Sequence, residues 1–184
     1  MPDVTAFGDD RGMRSLPFHD PDEPAQNLLR GMLSDMRHAV LAVNDPETGS
    51  PYLARVAAQL GADGMPLLLI SDMATHTRLL ARDPRASLLI APRPQPRGDA
   101  MTQPRASLQG RATRLPRNTP DHQARLDRWL AAHPKSTVYA SLPDFAFWQM
   151  HSESCTLNAG FGKAFRFTRA DMQKPPAAMD RGSD

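Results

Sequence analysis

The chain has 184 residues, 40% hydrophobic and only 6% aromatic, so one domain with a core of Leu, Ala, Val and Met is expected. Its formal net charge of +2 comes from 22 basic and 20 acidic side chains without a Lys/Arg block, which speaks against a nucleic-acid partner. The single cysteine, Cys155, excludes an internal disulfide and a Cys-rich zinc site.

Residues 1–20 mix Asp, Gly, Arg and Pro without periodicity and read as a disordered lead-in. From Pro24 to Met36 the residues Leu28, Leu29, Met32, Leu33 and Met36 share one helical stripe, with Pro near the start. His38 to Val43 and Pro51 to Leu60 flank a turn rich in Asn, Asp, Pro and Gly, a hairpin pattern. Gly61-Ala62-Asp63-Gly64 is a second tight turn, leading into the apolar strand Pro66 to Ile70. Two consecutive hairpins favour antiparallel sheet.

A short helix is predicted over Met73–Arg82, ended by Pro84. Strands follow at Ala86–Ala91 and Arg105–Leu115, separated by a proline-rich loop at Pro92–Asp99. Pro120–His133 reads as an amphipathic helix around Leu126, Trp129 and Leu130, and Asp144–Met150 as a strand. Cys155–Thr168 would supply a closing pair bent at Gly160 and Gly162, before a flexible tail over 173–184 that contains Pro175-Pro176. The fold class is therefore α+β: an antiparallel barrel of six to seven strands with short peripheral helices, filling residues 21–172. No run approaches about 18 apolar residues and no secretory pattern opens the chain, so no membrane association and a cytoplasmic location are expected.

The segment Pro66 to Arg78 carries the most chemistry. An apolar strand ends in hydroxyl and imidazole groups where a helix begins, and a helix start offers unpaired N–H groups and partial positive charge to a phosphate. Ser71 and Thr77 can add hydroxyl donors, and His76 or Arg78 charge-assisted hydrogen bonds. Asp72 opposes a phosphate there unless it turns back to cap the helix. Arg55 interrupts an otherwise apolar strand, for which a structural ion pair and a ligand contact both stay open. The histidines at 19, 38, 76, 122, 133 and 151 lack paired ligand spacing, so no metal site is expected. Cys155 reads as a buried small residue, Trp129 and Trp148 as packing anchors, and Arg111 and Arg114 as a solvated face. No residue stands out as a catalytic acid or base.

Gly49-Ser50-Pro51-Tyr52-Leu53-Ala54-Arg55-Val56, the block Ser71 to Arg78, and Arg82-Asp83-Pro84-Arg85-Ala86-Ser87-Leu88-Leu89 together resemble the pyridoxamine-5′-phosphate-oxidase-related split barrels. Within them the branch of HugZ-type haem-utilisation proteins is nearest. Pro104 to Ala112, Asp144 to Phe147 and Gly160 to Ala164 are similar to later landmarks of that branch, so the resemblance covers roughly residues 24 to 168 in order. It implies an FMN-binding split barrel that forms a homodimer, with two FMN sites at the interface, each lined by both chains.

Carried over by position, Arg55 and Ser71 would meet the flavin phosphate or ribityl chain, with backbone groups of Val56 and Ile70 nearby. His76 and Thr77 would complete a phosphate cradle, and Arg105 would approach from a neighbouring strand or from the partner. The implied function is FMN-dependent redox of a small molecule. Leu79 stands where the family pattern has Asn. The expected C-terminal region with a haem-ligating histidine does not follow Lys174-Pro175-Pro176, which argues against haem degradation. A haem-binding protein and a flavin-free interaction module on the same fold are the alternatives.

Overall fold

A computed structural model describes residues 18–92 and 99–174. The lead-in up to residue 17, most of the proline-rich loop and the tail from Pro175 lie outside the described residues.

Helix α1 (Glu23–Ser34) starts where the Asp22 carboxylate accepts the Ala25 amide at 2.8 Å, with Pro24 in the first turn. Its buried face, Ala25, Leu29, Met32 and Leu33, lies in the main core. Strands β1 (His38–Asn44), β2 (Pro51–Leu60) and β3 (Pro66–Ser71) follow as two hairpins. Helix α2 (Thr75–Arg82) begins two residues later than the sequence pattern places it, because Ser71–Ala74 form a hydrogen-bonded turn first. Strands β4 (Arg85–Ile90) and β5 (Arg105–Arg114) come next, then helices α3 (Asp121–Ala132) and α4 (Thr137–Ala140).

All strand pairs are antiparallel, in the order β3-β2-β1-β4-β5-β6-β7. Strand β6 (Phe145–Asn158) also pairs with β3, which closes the first six strands of that order into a barrel. Its 14 residues serve two partners on one edge: Phe145–Gln149 face β3, whereas Ser154–Asn158 face β7 (Ala164–Thr168). The sequence pattern ends one strand at Met150 and starts the closing pair at Cys155, with the polar run Ser152-Glu153-Ser154 between them. The structure keeps it whole. The register shifts so that Gln109 faces Ser154 while Gly110 faces Ser152, leaving Glu153 as the extra residue of a β-bulge.

Gly110 is required at that bulge, since a Cβ there would stand 2.0 Å from the His151 carbonyl oxygen. The turn between β6 and β7 uses Gly160 and Gly162 at φ of 130° and 72°, as their spacing suggests. Helix α5 (Arg169–Gln173), held by a capping box between Thr168 and Asp171, is not evident in the sequence pattern. His19, placed by sequence in the lead-in, forms an isolated bridge to Phe165 on β7.

Two apolar clusters result. The larger fills the barrel and runs under α1, with Leu41, Leu68, Leu88, Leu108, Met150 and Leu157 inaccessible to solvent. The smaller lies outside β3 and β6, where Leu67, Leu69 and Phe147 meet Trp129 of α3 and Ala140 of α4. Cys155 is buried in the larger cluster, and burial pushes its thiol up to about 12.

Candidate functional site

The turn from β3 into α2 is clamped by one residue distant in sequence. The Ser71 hydroxyl donates to the Asp144 carboxylate at 2.6 Å, and the Asp72 amide donates to the Asp144 carbonyl at 2.6 Å. Ser71 Oγ also accepts the Met73 amide at 3.1 Å, and its carbonyl accepts Ala74. The residue before α2 is Ala74, extended and with no side chain that can cap. The amides of Thr75 and His76 therefore find no acceptor among the described residues, as at any uncapped helix start.

Asp72 neither caps the helix nor faces it alone. Its carboxylate pairs with Arg114 at 2.6 Å, and both side chains are about half exposed. Such a pair adds little stability, but it offsets negative charge at the mouth of α2. Arg114, read from sequence as a solvated face, owes its role to this contact. Arg78 donates to the Met73 carbonyl at 2.6 Å.

A cavity of about 590 Å³ opens beside this helix start, between Thr77, Arg78 and Leu80 of α2 and Ala112, Thr113 and Trp148 of the barrel. Thr77 and Trp148 are both buried, and neither Thr77 Oγ1 nor Trp148 Nε1 has a hydrogen-bond partner among the described residues. Buried polar atoms are nearly always paired, and an unpaired one costs about 1–3 kcal/mol. Two such atoms bordering one cavity suit a polar occupant. His76 Nε2 is likewise buried and unpartnered, and burial pushes the imidazole below its ordinary value. Burial thus favours the neutral imidazole, while Arg78 and Arg114 bring guanidinium groups to the same cavity.

Arg55, Val56, Ile70 and Ser71 meet at a parting of two strands. The β2–β3 ladder stops at Ala57–Leu69; the same register carried two residues further would face Arg55 with Ser71. Ala58 N–H bonds toward β1 and Asp72 N–H toward β6. Backbone groups alternate sides along a strand, so those of Val56 and Ile70 also point to β1 and β6. The backbone groups facing the gap are those of Arg55 and Ser71. Val56 and Ile70 instead bury their side chains in the main cluster. The Arg55 side chain is exposed and makes no hydrogen bond or ion pair among the described residues.

Arg105 is not brought to this place within one chain. It opens β5 opposite Asn158 and donates to the Met101 carbonyl at 3.2 Å. Thr113 and Arg114 end the same strand, up to about 30 Å away at about 3.3 Å per residue. Leu79, the departure from the family pattern, is buried in the main cluster. Sequence reasoning missed Asp144 and the cavity role of Trp148. Asp144 lies 73 residues from the serine it holds, and no local pattern signals such a contact.

The family model for the CREG β-barrel matches residues 38–172. The non-canonical haem oxygenase HOZ of Arabidopsis thaliana chloroplasts is 30% identical over 145 residues, which are 79% of this chain and 42% of that protein. The chain thus spans less than half the length of that relative. A haem-binding protein from Mycobacterium smegmatis is 27% identical, with a TM-score of 0.72 over 84% of this chain and 61% of the other. A Clostridium acetobutylicum protein of the pyridoxinephosphate oxidase family, 15% identical, shares the fold at a TM-score of 0.61 over 83% of this chain and 99% of its own. Among the described residues no helix is long and apolar enough to cross a membrane. Matched over most of its length, this chain belongs to the CREG β-barrel family, with the architecture of the pyridoxamine-phosphate-oxidase-like split barrels.

Proposed function

We propose that the chain binds FMN along the strip from the start of α2 to the parting of β2 and β3. The carrying observation is the buried Thr77 hydroxyl, without a partner among the described residues, beside a helix start that none of their side chains caps. The phosphate would take the Thr75 and His76 amides and the Thr77 hydroxyl. The ribityl chain would lie against Arg55 and the backbone of Ser71. Arg105, remote within its own chain, would reach the flavin from a second copy in a homodimer.

When bound, the flavin supplies the redox chemistry for a small-molecule substrate. This chain's residues would seat the anion and hold the turn through Asp144. A second reading is haem binding, which the names of the Arabidopsis and Mycobacterium relatives favour. A haem propionate is also an anion that Arg55 and the α2 start can hold.

The deciding experiment titrates the purified protein in parallel with FMN and with haemin. Quenched flavin fluorescence saturating at one FMN per chain supports the first reading. A shifted Soret band without flavin binding supports the second. Binding of neither removes both and leaves a flavin-free interaction module.

A further inference from the structure

A separate recess of about 440 Å³ lies outside the barrel, where α3 passes over β3 and β6. Its floor is apolar, from Leu67 and Leu115, and its wall carries Arg125 and Arg128, one turn apart on α3. The Arg125 guanidinium carbon sits 5.9 Å from the centroid of the Phe147 ring. Its Nη1 is buried and has no acceptor among the described residues. An unpaired buried guanidinium donor is costly, and an anion within reach offsets that cost.

The neighbouring acids do not supply that anion. Asp63 accepts the Met65 amide at 3.1 Å, and Asp121, four residues before Arg125, is exposed at the rim. Neither pairs with Arg125 or Arg128 among the described residues. The positive field is felt nearby: besides burial, Arg117 and Arg125 push the His122 imidazole below its ordinary value.

We propose that this recess binds a small monocarboxylate with an apolar body, its carboxylate on Arg125 with Arg128 alongside and its body over Leu67 and Leu115. A planar guanidinium matches a planar carboxylate in two-point fashion. The carboxylates of Asp63 and Asp121 at the rim disfavour a doubly charged group such as phosphate. The site is distinct from the strip beside α2 and does not depend on the cofactor reading.

The test titrates the full chain with benzoate, and separately with inorganic phosphate, by calorimetry and by the arginine side-chain NMR signals. Benzoate should bind saturably and shift an arginine signal that disappears in Arg125→Gln. Arg125→Gln should weaken benzoate about tenfold or more, the loss of one charge-assisted bidentate contact. Arg125→Lys, which keeps the charge and loses the fork, should weaken it too, with the thermal melt of each variant reporting its folding. Arg128→Gln, at an exposed position, provides a second variant that should also weaken benzoate. Absence of saturable benzoate binding, phosphate binding as tight as benzoate, or unchanged affinity in folded Arg125→Gln or Arg125→Lys would each overturn the proposal.

Discussion

Asp144 holds Ser71 and the next residue at once, its carboxylate taking the Ser71 hydroxyl at 2.6 Å and its carbonyl the Asp72 amide at 2.6 Å. The first contact depends on the side chain and the second does not. Asp144→Ala should therefore loosen the turn without unravelling it. A hydrogen bond to a charged group contributes about 1.5–3 kcal/mol, and a loss of that size is expected in urea denaturation. Asp144→Asn retains an acceptor oxygen and should lose less. FMN affinity should fall in the alanine variant more than in the asparagine one. Equal stability and equal affinity in both would mean that the Ser71–Asp144 contact does not shape the site.

Thr77→Val gives effects of opposite sign on stability and binding. The Thr77 hydroxyl is buried without a partner among the described residues, so it contributes desolvation cost and no bond there. A near-isosteric valine should leave stability unchanged or raise it by about 1 kcal/mol. The same change removes a donor from the proposed phosphate seat and should weaken FMN about tenfold. A destabilised variant would point to an internal partner for the hydroxyl. A stable variant with undiminished FMN binding would remove the seat from the proposal.

What can be read in a chain like this is what local periodicity encodes. The hairpins around Asn44–Ser50 and Gly61–Gly64 and the helix around Trp129 declare themselves, because turn residues and apolar spacing are properties of neighbours in sequence. Ser71 and Thr77 stand out for the same reason, at the border of an apolar strand and a helix. The partners that give them meaning do not. Asp144 reaches Ser71, Arg114 reaches Asp72 and Trp148 borders Thr77's cavity only after β5 and β6 have closed the barrel. The continuity of β6 is hidden by the polar run Ser152-Glu153-Ser154, which interrupts the apolar pattern at the bulge. The part played by Val56 and Ile70 depends on which way their amides point, a matter of register that residue type does not reveal.

Gly110→Ala tests how strictly that bulge is built. The added methyl would meet the His151 carbonyl oxygen at 2.0 Å and its carbon at 2.9 Å, both backbone atoms that cannot rotate away. Relief requires β5 and β6 to separate at this pairing. A loss of at least about 2 kcal/mol is expected, the scale of overpacking in a rigid interior. Gly31→Ala is the control, since a Cβ there meets nothing within 4 Å and helix interiors favour alanine. It should be neutral or stabilising. A Gly110→Ala protein that melts with the parent would show that the strands yield freely at this point.

Acid stability should carry the mark of Asp83. Its carboxylate accepts Arg85 Nε at 2.9 Å and 3.0 Å and Arg85 Nη2 at 2.6 Å, and also the Arg85 amide at 3.1 Å. These bonds to Arg85, its side chain first, hold the carboxyl down at about 2, below the ordinary 3.8. A carboxylate depressed in the folded state stabilises the protein fully above its unfolded value, and that stabilisation is lost as pH falls through the folded one. Stability should therefore drop between about pH 4 and pH 2. Asp171, held at about 2 by Lys174 and Thr168, titrates in the same window. Asp83→Asn should remove part of the slope and Asp83→Asn with Asp171→Asn more of it. Arg85→Ala should raise the Asp83 titration midpoint toward the ordinary value, read directly from the carboxyl carbon by NMR. A midpoint that stays near 2 without Arg85 would assign the depression to some other group.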